Sequence, residues 1–153
     1  MYSKQEASQL RKEFWTVFGQ YMQPVLSSDG EKINWINFKT GVKDVFFKMN
    51  ADNKKASIDI ELHHADSGIR QLYYEQFVEL KNFLHAQLDE EWTWMDESLD
   101  EHGKHMSRIY SEVSGVSIFK REDWPKLISF FKQRIIALDE FWSVAKHQFD
   151  ALH

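Results

Sequence analysis

VKDVFFKMNADNKKASIDIELH, residues 42–63, is the stretch that decides the architecture. In its second half Ile58, Ile60 and Leu62 alternate with Ser57, Asp59, Glu61 and His63. A period of two places the apolar set on one face of a strand and the polar set on the other. In its first half Val45, Phe47 and Met49 share a face, and Phe46 lies opposite between Asp44 and Lys48, which predicts partial cover on both sides. The connection Ala51-Asp52-Asn53-Lys54 is too short for anything but an antiparallel reversal. Immediately upstream, Lys32 to Lys39 also alternates, and Thr40-Gly41 supplies another turn. The spacing therefore predicts a three-stranded meander over Lys32 to Lys39, Val42 to Asn50 and Lys55 to His63.

Helical periodicity surrounds this unit. Ser3 and Glu6 form the pattern of a capping box, and Leu10, Phe14, Val17, Phe18 and Tyr21 then recur at three- and four-residue intervals. Pro24 and Ser27-Ser28-Asp29-Gly30 end that helix. After the meander, Asp66-Ser67-Gly68 opens a helix whose apolar stripe runs from Ile69 to Leu84. Two more strands follow, Glu91 to Glu97 and His105 to Val113, with the turn Asp100-Glu101-His102-Gly103 between them. Trp92 and Trp94 share one face, as do Met106, Arg108 and Tyr110 on the partner strand. Asp123-Trp124-Pro125 starts a last helix, whose apolar seam from Leu127 to Phe149 is long enough to cover the sheet with the first helix or to serve a homodimer. The predicted order is α-β-β-β-α-β-β-α: an α+β domain over residues 1–153, with an antiparallel five-stranded sheet covered mainly on one face by the first and last helices.

Composition narrows the function classes. With no cysteine there is neither a disulfide framework nor a thiolate metal site. The polar amino terminus lacks the apolar core of a secretory signal, and no stretch approaches the ~20 apolar residues of a membrane span, so a cytoplasmic protein without membrane contact is expected. A net charge of −5 argues against a surface that grips nucleic acid everywhere. Charge is nevertheless uneven. Lys32 to Lys55 holds six lysines against Asp44 and Asp52, whereas Asp89 to Glu101 holds seven acids and no base. That leaves room for one basic face.

Phe14-Trp15 through Tyr21-Met22, Lys32-Ile33-Asn34-Trp35-Ile36-Asn37, Thr40 to Val45 and Ala51 to Ala56 carry a family resemblance. Ser107-Arg108-Ile109-Tyr110 and the run from Trp124-Pro125 to Phe141-Trp142 extend it over nearly the whole chain. The chain resembles the bacterial family called domain of unknown function 4268. The resemblance implies a bacterial protein of this architecture and lends no activity. In longer proteins such a domain often follows a nuclease-like region, an association with nucleic-acid processing.

Two readings of the site residues follow. The element order resembles the restriction-endonuclease-like nuclease core, in which an acid on the second strand and an acid-x-lysine on the third bind a divalent metal. Asp44 stands on the second predicted strand and Asp59-Ile60-Glu61-Leu62-His63 on the third, so Asp44, Asp59 and Glu61 are candidate ligands for Mg²⁺. Asp44, Glu61 and His63 are the candidate catalytic groups. The lysine of that motif would fall on Glu61 or His63, which departs from the pattern. No cofactor is expected outside this alternative. The favoured reading is an interaction or nucleic-acid-associated module, with Trp35, Trp92, Trp94 and Tyr110 as stacking or docking groups beside Lys43 and Arg108. Its partner is a nucleic acid or another protein. His63 and His64, adjacent in a strand, point to opposite faces and cannot chelate together.

Overall fold

The computed structural model describes residues 2–152. The capping box forms as the sequence requires: Ser3 Oγ accepts the Glu6 amide, Glu6 returns a carboxylate to the Ser3 amide, and α1 runs over Lys4–Met22. Strands β1 (Val45–Ala51) and β2 (Lys55–Leu62) make the central hairpin. Helices α2 (Ser67–Glu79) and α3 (Lys81–Leu88) lead to a second hairpin of β3 (Thr93–Leu99) and β4 (His105–Ser114). Helix α4 (Trp124–Ala145) follows a short 3₁₀ turn, with Pro125 in its first turn.

The sheet has four strands, in the order β1-β2-β4-β3, and every pairing is antiparallel. The fifth strand, expected over Lys32 to Lys39, is a turn-rich segment instead. Asn34 Oδ1 accepts the amides of Ile36 and Asn37, an Asx arrangement that meets the backbone's hydrogen-bonding needs locally. Trp35 turns inward, 3% exposed, and donates its indole N–H to the Val25 carbonyl. The segment thus anchors through a side chain rather than a ladder. The second predicted strand loses its first residues to a turn: Gly41 and Asp44 both have positive φ, and Thr40 Oγ1 bonds the carbonyls of Val42 and Val45.

The hairpins join through β2 and β4, which pair Asp59 with Tyr110 and Glu61 with Arg108. One face of this sheet bears Phe47, Ile58, Ile60, Leu62 and Ile109, all buried, and packs against the helices. Phe14, Phe18, Phe131, Ile135, Leu138, Phe141 and Phe149 complete the core at zero exposure. Each fully buried Phe or Leu side chain contributes roughly 1.5–3 kcal/mol. Much of the high aromatic content is consumed here, in tilted and edge contacts such as Trp15–Phe131 and Phe47–Trp142.

Two helical expectations change. The single helix after Asp66 breaks at Leu80, and α3 packs along α4. Its predicted stripe is split, since Tyr73, Phe77 and Leu84 are buried whereas Ile69 and Leu72 are exposed. The α4 seam is spent on the chain's own core from Trp124 to Ala145. No helix is long and apolar enough to cross a membrane among the described residues.

Candidate functional site

The other face of the sheet forms a depression of about 650 Å³ lined by residues of the strands and of the loops that join them. Phe46 and Lys48 reach it from β1, Asp59 and Glu61 from β2, and Met106 and Arg108 from β4; Asp100 comes from the β3–β4 turn. Alternation puts them there, because residues facing each other across an antiparallel ladder point to the same side. Phe46 therefore stands beside Glu61, and Lys48 beside Asp59. The cover over Phe46 is partial, from the His63 ring and the Lys48 side chain, and Phe46 is 41% exposed.

Asp59 and Glu61 are only 2% and 7% exposed although no helix lies over them in this lining. Their burial comes from long neighbours on the flanking strands. Arg108 binds Asp59 Oδ2 through Nε at 2.7 Å and Nη2 at 2.6 Å, and its guanidinium lies 3.6 Å from the Tyr110 ring centroid. Asp59 Oδ1 is buried without a partner among the described residues. Burial pushes the Asp59 carboxyl up to about 6, with Arg108 pulling it down and nearby Glu61 pushing it up.

Glu61 Oε1 sits 2.7 Å from His63 Nε2 and 3.9 Å from Lys48 Nζ. On the far side of the imidazole, Asp100 Oδ2 is 4.0 Å from Nδ1. The His63 ring meets Phe46 edge-on at 5.4 Å. Asp100 is itself fixed by accepting the amides of Lys104 and His102, the first of which is the main cause that lowers its pKa. The face thus carries two charge groups: an Asp59–Arg108 pair stacked on Tyr110, and a Glu61–His63–Asp100 row capped by Lys48.

The predicted site residues separate into two sets. Asp44, Asp59, Glu61, His63 and Arg108 line one depression. Tyr110 stands beside Arg108 on the same face. The tryptophans do not join them. Trp35 is buried in the loop; Trp92 precedes β3, is 5% exposed and donates its indole N–H to Glu90. Trp94 lies on the helix face, near Tyr74 and Lys81. Lys43 is exposed, next to the turn at Asp44. His63 and His64 do point opposite ways: His64 is buried against Tyr73, 4.2 Å between ring centroids.

As a seat for Mg²⁺ the donors fit poorly. Asp59 is committed to Arg108, and among the described residues no group of three His, Asp or Glu side chains is gathered for a metal ion. Sequence reading overlooked Asp100 here. Lys48 was legible as a member of the polar face of β1, whereas Asp100 reaches His63 only because β4 lies next to β2.

The model of the domain of unknown function DUF4268 matches residues 10–146. The chain belongs to that family. The match runs from within α1 to the end of α4, so both halves of the DUF4268 depression lie inside it. No curated protein and no solved structure matches this DUF4268 member.

Proposed function

We propose that the protein is an interaction module whose uncovered sheet face binds a partner protein presenting basic side chains. The observation that carries this reading is the charge of the depression. Its lining holds five acids, Asp44, Asp59, Glu61, Asp100 and Glu101, against Lys48, Lys104 and Arg108. Such a surface repels a polyphosphate backbone and attracts lysine and arginine. Fixed pairs also favour binding over chemistry. Asp59–Arg108 and Glu61–His63 are already hydrogen-bonded, so their geometry is set before a partner arrives.

The test is an amide-shift titration of the isotope-labelled protein with a lysine/arginine-rich peptide, an acidic peptide of equal length and a DNA or RNA oligonucleotide. The basic peptide should shift the amides of β2, β4 and the Asp100 turn, and Glu61→Gln with Asp100→Asn should weaken it. Retardation of an oligonucleotide at low salt, lost on Arg108→Glu, would replace this reading with the nucleic-acid one.

The second reading, a Mg²⁺-dependent nuclease using Asp44 and Glu61, is supported by their sharing one depression with Asp59 and His63. Calorimetry with Mg²⁺ or Mn²⁺, and cleavage assays with Asp44→Asn and Glu61→Gln, separate it from the first.

A further inference from the structure

Apart from the sheet-face depression, residues of the segment 27–40 and of the carboxy-terminal half of α4 line a cleft of about 630 Å³. A volume of this size is typical of small-molecule sites. Its floor is fixed rather than loose. The Trp142 indole donates to the Thr40 carbonyl at 2.7 Å, and Thr40 is itself buried. Asp139, on the same helix face one turn earlier, is 7% exposed; its Oδ2 accepts the Ser28 amide at 2.7 Å.

Its other oxygen has no hydrogen-bond partner among the described residues, and it is not among the solvent-sealed atoms. No lysine or arginine of the described residues forms an ion pair with this carboxylate, although Lys146 lines the same cleft. Capping the Ser28 amide requires only an oxygen, which a neutral side chain could supply. The negative charge is surplus to that structural task.

We infer that the cleft binds a small organic cation, a primary ammonium or guanidinium on a short apolar stem, with its charged head on the free oxygen of Asp139. Three features of the lining agree with that chemistry. Ile33 and Phe38 provide an apolar wall for the stem. Asp29 and Glu31 add negative charge at the rim, both exposed. With Asp139 they make three carboxylates against two lysines, Lys39 and Lys146, so a monocation balances the cleft. The cleft shares no residue with the sheet-face depression.

The probes are butylammonium chloride, butylguanidinium chloride and sodium butyrate, titrated into the labelled chain at constant ionic strength. The two cations should move the Ser28 amide and the Trp142 indole N–H together, and butyrate should not. Asp139→Asn keeps an oxygen for the Ser28 amide and should weaken the cations by about tenfold or more, the worth of a charge-assisted hydrogen bond. Lys146→Met, which removes a competing ammonium, should leave binding equal or tighter. If Asp139→Asn does not fold, the wild-type preference for cation over anion and the Lys146→Met result decide. Equal binding of butyrate, no shift at Ser28 and Trp142, or unaltered cation affinity in a folded Asp139→Asn overturns the inference.

Discussion

Replacing Asp59 by asparagine should change how stability depends on pH. Burial raises this carboxyl from its ordinary 3.8 to about 6, so between those values the folded chain holds a proton that the unfolded chain has released. The stability gained from that proton is fully present below the unfolded value and is lost as pH rises through about 6. At about 1.36 kcal/mol per pH unit, the displacement amounts to about 3 kcal/mol. Most of it, about 2–3 kcal/mol, falls between about pH 4 and pH 7. The amide of Asp59→Asn has no proton to lose, so the variant should gain on the wild type by that amount over the interval. Its absolute offset also contains the loss of the Arg108 pair and is a separate quantity. Urea denaturation followed by tryptophan fluorescence at stepped pH reads the difference directly. Parallel stability profiles for the two proteins, or a variant that loses ground as pH rises, would show that Asp59 is not held in an environment that penalises its charge.

Three further outcomes follow from the packing. His64 has two buried ring nitrogens without partners and a pKa lowered chiefly by burial, so His64→Phe should keep the Tyr73 stack and raise stability by about 1–2 kcal/mol in urea. Phe131→Ala removes a side chain of zero exposure that meets Phe14, Trp15 and Phe18, and should cost about 3–5 kcal/mol by the same measurement. Gly41 has φ 77° with open space around it, so Gly41→Ala should cost about 1 kcal/mol from backbone strain alone, seen as a lower melting temperature.

Residues 45–63 were legible because alternation is strict there: Ile58, Ile60 and Leu62 take the helix side, and Asp59, Glu61 and His63 the open side. The same rule misled at Lys32 to Lys39, where Asn34 and the Trp35 indole offered bonds that compete with a ladder. Period alone cannot weigh such local capture against strand pairing. The tryptophans show the opposite error. Their place on alternating runs suggested a surface, yet Trp92 and Trp35 each found a polar partner for the indole and went inside. The depression itself was half visible. Its acids were named from β2, but their burial depends on Arg108 and Lys48 lying across neighbouring strands, and β2 meets β4 only through a pairing that skips α2, α3 and β3. Asp139 was unreadable for a similar reason, since its partner Ser28 is 111 residues away.

The strand order also decides what a fragment of this chain can do. Asp59 and Arg108 are 49 positions apart, and the two ribbons that carry them are each closed by their own tight turn. Neither ribbon owns the charged hollow; it arises at the seam where they dock. A chain cut between α3 and β3 would therefore recover the hollow only on reassociation of its halves, which makes the Asp59–Arg108 contact a natural reporter for split-protein complementation.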